Sequence, residues 1–143
     1  MSQLTLQAAQ DIVAAALDHA AHAGFKPLAV IVLDARGALK AGAVQDGSSL
    51  ARHEIAFAKA YGALAMGMGS RALFNRSQQQ PAFIAAVGQV VGGAMVPTPG
   101  GVLVRDAAGG LLGAVGISGD NSDNDEAAAL AGIAAADLTG DPG

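Results

Sequence analysis

The run GDNSDNDEAAALAG, from Gly119 to Gly132, gathers Asp120, Asn121, Ser122, Asp123, Asn124, Asp125 and Glu126 without a break. Oxygen donors this dense suit a hard cation, a pair of carboxylates for proton transfer, or the start of a helix. A calcium loop of the EF-hand kind needs Gly at its sixth position and Glu at its twelfth. Counted from Asp120, those positions hold Asp125 and Ala131, so that form of metal loop fails. A cap fits better: Asp123 followed three residues later by Glu126 has the form of a capping box, with acidic groups at the positive end of a helix. One cap needs only two residues and this stretch supplies several more, so a functional role for its carboxylates, Asp125 or Glu126 as a general base, stands beside the cap.

Histidine offers metal ligation or proton transfer, and the chain has three. His19 and His22 stand three apart on one helical stretch, a spacing that usually describes a solvated face, with His19 at the edge of the apolar stripe beside Ile12. His53 projects near Phe57 and Leu64, where a neutral imidazole in an apolar pocket can ligate haem iron. The plainer alternative is a buried histidine satisfied by a carbonyl. Lys59 shares a helix side with Ile55 and Met66, and a lysine so placed snorkels, pairs across an interface or holds an anion. The glycines at 110, 113, 116 and 119 match neither the P-loop nor the dinucleotide fingerprint. On a strand they fall on both faces and bare the backbone to a packing helix, a ligand or another chain. The chain contains no cysteine and no GxSxG elbow, which excludes thiol nucleophiles and gives no spacing argument for a serine triad.

These side chains need elements to hold them. From Thr5 to Ala23, Leu6, Ile12, Val13 and Leu17 interleave with alanines at helical spacing, with Thr5 as N-cap and Gly24 as terminator. Leu28 to Asp34 and Ala38 to Gln45 read as two strands of a hairpin around Ala35, Arg36 and Gly37. Gly101 to Asp106 and Leu111 to Ser118 repeat that grammar around AAGG. Between the hairpins, Ser48 or Ser49 can cap a helix LARHEIAFAKAYGALAM that Gly67 and Gly69 end. Leu50, Phe57, Tyr61 and Leu64 share one side of it while Ile55 and Met66 lie nearly opposite, so the sheet covers one face and a partner subunit or ligand the other. A short helix follows from Ser70 to Gln80, then PAFIAAVGQV with Pro81 as its first residue, and the stiff turn MVPTPGG. EAAALAGIAAADL closes the chain as a helix, with DPG frayed beyond it. Two hairpins among helices predict an α/β sandwich around an antiparallel sheet, one domain over residues 1–143 with no linker.

At 143 residues the chain can bury roughly two thirds of its unfolded surface, enough for one core. A net charge of -4, four Phe and one Tyr leave neither a basic stripe nor a stacking platform, so nucleic acid is not an expected partner. Charged or amide residues interrupt every long apolar run, so no bilayer span is expected. The opening MSQLTLQAAQ lacks the basic and apolar regions of a signal peptide, and a cytoplasmic location is the expectation.

The blocks LTLQAAQDIVAAALDHA, AVIVLDARGAL, AFAKAYGAL and PTPGGVLVRDAAGGLLGAVGISGDNSDNDEAAALAGI, in that order, resemble the GlcG/HbpS-like haem-binding (haem-degrading) family. The closing block carries the most specific part of the likeness. The resemblance implies a profilin-like α/β/α sandwich around an antiparallel five-stranded sheet, homo-oligomers, and haem as cofactor. It points to His53, Lys59 and Tyr61 on the second helix, Thr98 in the PTPGG turn, and Asp125 and Glu126 where SDNDE matches the family's acidic pair.

Two functions follow. The first is a haem protein that sequesters, senses or slowly degrades haem, with His53 or His19 as iron ligand and Tyr61 and Thr98 nearby. The second is a small catabolic enzyme, a tautomerase, isomerase or lyase acting on a carbonyl or hydroxy acid. There Asp125 or Glu126 would serve as base and Lys59 would hold an anion.

Overall fold

The computed structural model describes residues 3–143. Helix α1 (Leu6–Ala23) leads into the hairpin β1 (Ala29–Asp34) and β2 (Leu39–Val44). Three helices follow, α2 (Arg52–Met66), α3 (Ser70–Gln79) and α4 (Pro81–Val90), then the hairpin β3 (Gly101–Arg105) and β4 (Leu111–Ser118). Helix α5 (Ser122–Ala135) and the short strand β5 (Thr139–Asp141) complete the chain. The five strands form one antiparallel sheet in the order β2-β1-β4-β3-β5.

Strand alternation divides the core into two layers. Val30, Val32, Val115 and Ile117 point to one face and pack with Ile12, Ala16, Ala129 and Ile133 of α1 and α5. Leu33, Leu103 and Ala114 point to the other, against Ala60 and Ala63 of α2. Helices α3 and α4 form a smaller cluster beside α2, through Leu73, Ile84 and Met95. The result is a sandwich around an antiparallel sheet, as the two hairpins and the flanking helices predict, in the α/β/α form that the family resemblance implies.

The glycine series in β4 is explained by packing. A side chain on Gly116 would collide with the Ala56 carbonyl of α2, and one on Gly113 with the Leu33 carbonyl. Helix α2 therefore lies directly on the backbone of β4, closer than any residue with a Cβ allows.

Several expectations are corrected. Helix α5 is capped by Asn121, whose side chain accepts from the Asn124 amide at 2.8 Å, and not by Asp123. Glu126 turns away from the cap to meet Arg71. Neither Ser48 nor Ser49 caps α2: Ala51 stands at the cap position without a side-chain bond, and Leu50 lies outside the helix, 88% exposed. The C-terminal DPG is not frayed. Asp141 belongs to β5, paired with Leu103 of β3, and the Pro142 carbonyl accepts from the Arg71 amide at 3.2 Å. The second face of α2 is covered in part by the chain itself, since Gly62 lies against Met95.

Candidate functional site

Lys59 and Asp125 meet across the end of the sheet. Lys59 comes from α2 in one layer and Asp125 from the first turn of α5 in the other, and both side chains are buried. The Lys59 ammonium donates to the Ile117 carbonyl at 2.9 Å and to Asp125 Oδ2 at 3.1 Å. Its path runs past Gly100, where a Cβ would sit 2.9 Å from Nζ; Gly101 likewise leaves room for the Lys59 carbonyl. The two glycines of the PTPGG turn thus make a passage for the lysine. Asp125 Oδ1 accepts from the Asp120 amide at 3.0 Å. Burial pushes the Asp125 carboxyl up and the Lys59 ammonium down, and each opposes the other's shift by attraction. Loss of water thus outweighs the pairing on both partners.

Beside this pair, Arg71 of α3 grips α5 from outside. Its Nε lies 2.9 Å from Glu126 Oε2 and its Nη2 2.6 Å from Asp123 Oδ1. Both acidic residues that the sequence offers as bases are therefore bound by cations: Asp125 by Lys59, and Glu126 by Arg71. Arg71 was not legible as a site residue. Its only signal is a cation inside the start of a helix, and its partners lie more than fifty positions away.

His53 occupies a different place. It is exposed on the first turn of α2 and lines a groove of about 550 Å³ together with Ile31, Leu39, Phe57, Ala58 and Ala94. The opposite rim is the turn Gly92–Gly93, and Glu54 contributes the one carboxylate of the lining. His53 thus faces apolar walls, as its spacing from Phe57 suggests, though Leu64 packs inward against the sheet. Tyr61 stacks on Phe57 with ring centroids 5.4 Å apart and supports that wall from behind. Its ring also lies against Gly37 of the first hairpin.

The remaining candidates lie apart. His19 sits on α1, exposed, with its ring edge-on to Phe25 at 5.7 Å. Since α1 packs on the sheet face opposite α2, His19 and His53 do not share a groove. Thr98 is half-buried in the turn before β3, its amide donating to the Val96 carbonyl at 2.9 Å. No group of three or more His, Cys, Asp or Glu that could hold a metal ion occurs among the described residues. No helix among them is long and apolar enough to cross a membrane.

The family model of the haem-degrading HbpS-like proteins matches residues 4–134. This chain belongs to the HbpS-like family. The fold agrees. A PduOC–haem complex superposes with a TM-score of 0.84 at 26% identity, covering 95% of this chain and 96% of that one. A double mutant of HbpS from Streptomyces reticuli gives a TM-score of 0.80 at 27% identity, covering 94% and 87%. The Klebsiella pneumoniae protein ORFY, at 21% identity, shares the fold with a TM-score of 0.84 over 96% of this chain and 92% of that one. No curated protein matches the chain. In this HbpS-like chain the PTPGG turn and the acidic run close on Lys59 and Arg71.

Proposed function

We propose that this HbpS-like chain binds haem in the groove between α2 and the Gly92–Ala94 turn, with the His53 imidazole as iron ligand. One observation carries the reading: an exposed imidazole on the wall of an apolar groove of about 550 Å³, within the size of small-molecule sites. The residues fit such a group on one side. Phe57, Ile31 and Leu39 offer flat apolar contact, His53 offers the ligand nitrogen, and Tyr61 stiffens the aromatic wall. PduOC, which shares this fold, forms a complex with haem, and that supports the same ligand here. Haem would supply the redox-active iron on which sequestration, sensing or slow degradation depends. The groove is open, so one copy covers a planar ligand incompletely, which favours a homo-oligomer as the working form.

Hemin titration followed at the Soret band tests the reading. Saturable binding with a shifted band is expected, and His53→Ala should abolish the shift while leaving the circular dichroism unchanged. A spectrum like free hemin without saturation would refute haem binding. An unchanged spectrum in His53→Ala would move the ligand to another residue.

A further inference from the structure

Two strands of the sheet carry an extra residue at the same end. The pairing of β1 with β2 shifts between Val32↔Ala41 and Leu33↔Leu39, which leaves Lys40 without an opposite number. The pairing of β3 with β4 shifts between Val104↔Gly113 and Arg105↔Leu111, which does the same to Leu112. Strand β1 lies between the two bulged strands, with Asp34 opposite Gly113. A bulge interrupts the ladder and re-aims a side chain. Here both re-aimed side chains line one hollow of about 420 Å³, between the turn of the first hairpin and the residues that lead into α1.

The lining divides by chemistry. Leu4 and Leu112, both almost wholly buried in the core layer under α1, make an apolar floor. Lys40 and Arg36 stand above it. Asp34 is the one carboxylate of this lining among the described residues, and its own turn occupies it. Its Oδ1 accepts from the Arg36 and Ala38 amides at 2.9 and 3.1 Å, and its Oδ2 from Arg36 Nη2 at 3.0 Å. Lys40 is half-buried and makes no ion pair among the described residues. The hollow therefore keeps one uncompensated positive charge over an apolar floor. Leu39, the preceding residue, lines the His53 groove on the other side of the sheet, so the bulge at Lys40 parts two separate sites.

We infer that this hollow binds a small organic monocarboxylate, its carboxylate on Lys40 and the outer edge of Arg36, its short hydrocarbon body on Leu4 and Leu112. One surplus charge matches one carboxylate. Inorganic phosphate would bring further charge and no apolar body, and no glycine lines the hollow to offer it a backbone cradle. An uncharged ligand would leave the lysine facing hydrocarbon, which costs free energy. The volume lies within the range of small-molecule sites. The inference does not rest on haem binding.

An NMR titration of the ligand-free protein with sodium isovalerate at low salt tests it. The amide signals of Gln3, Asp34 to Lys40 and Leu112 should shift together and saturate. Isovaleramide, the same body without the charge, should bind at least tenfold more weakly. Lys40→Gln should weaken isovalerate at least tenfold with unchanged circular dichroism. If Lys40→Gln fails to fold, Ala35→Glu decides, because Ala35 is exposed on the lining and the substitution sets a like charge beside the ligand. Absence of saturable shifts at these residues overturns the inference. So do equal affinity for isovaleramide, saturation by inorganic phosphate in place of isovalerate, and wild-type affinity in the variants. His53→Ala should lose hemin and keep the isovalerate shifts, so the two readings fail independently.

Discussion

The Lys59 ammonium stands 3.1 Å from the Asp125 carboxylate, with both side chains almost wholly out of water. Removing one charge leaves the other buried without a partner, which costs about 3–5 kcal/mol, whereas replacing both is often neutral. Asp125→Asn and Lys59→Met should each lower the free energy of unfolding by that order. The double variant should recover most of the loss, because the side-chain amide introduced by Asp125→Asn still offers an oxygen to the Asp120 N–H. A double-mutant cycle from urea unfolding measures this, and additive losses would show that the pair is not a unit.

Much of the fold is legible in the amino-acid sequence. Gly24, Pro81 and the two turn-rich hairpins punctuate the chain strongly enough to set the order of elements. The strand β5 is not legible, since Gly140 and Asp141 are disfavoured in strands and the pairing of Thr139–Asp141 with Leu103, Val104 and Arg105 exists only after folding. The cap of α5 is displaced for a similar reason. Several neighbouring residues can cap a helix, and the choice of Asn121 follows from Asp120 and Asp125 being held elsewhere, by the Lys26 amide and by Lys59. Helical spacing puts Lys59 on a side with Ile55 and Met66 but cannot show the passage past Gly100 that leads it to Asp125.

Arg71 joins α3 to α5 by a fork onto Glu126 and a further bond to Asp123. Its side chain is 37% exposed, so water weakens the attraction. Arg71→Ala should cost about 1–2 kcal/mol, and Arg71→Lys should recover less than half, because an ammonium cannot reproduce the fork. Thermal unfolding of the three proteins checks the order.

Close approach of α2 to β4 makes Gly116 intolerant of a side chain. Gly116→Ala drives a methyl into the Ala56 carbonyl and should cost about 2–3 kcal/mol as the layers are forced apart. Gly24→Ala is the useful contrast: nothing lies near its would-be Cβ, but its φ is +73°, so only about 1 kcal/mol of backbone strain is expected. Equal losses in urea unfolding would remove the packing argument.

On the groove wall, Leu39 is 65% exposed and contributes little to the core, which makes it a clean probe of ligand contact. Leu39→Asp should weaken hemin binding about tenfold, equivalent to about 1.4 kcal/mol, with stability unchanged. Glu54 on the same lining repels carboxylate groups of a ligand, and Glu54→Gln should tighten hemin binding a few fold at low salt. Identical affinities in both variants would place hemin outside this groove.

Asp120 sets a pH dependence whose sign can be worked out. Its carboxylate accepts from the Lys26 amide at 2.7 Å, the Asn121 amide at 2.8 Å and Asn124 Nδ2 at 2.8 Å, which together hold its pKa below the ordinary 3.8. A depressed folded-state pKa means that the ionised form stabilises the fold above the unfolded value, and that this contribution is lost as pH falls through the folded one. The acid limb of the stability profile should therefore fall below the ordinary carboxylate range. Asp120→Asn should flatten that limb by removing one titrating group, although it also weakens the link to Lys26 at every pH. Urea midpoints measured from neutral pH down into the acid range distinguish the two effects: a constant offset reports the lost bond, and a changed slope reports the titration.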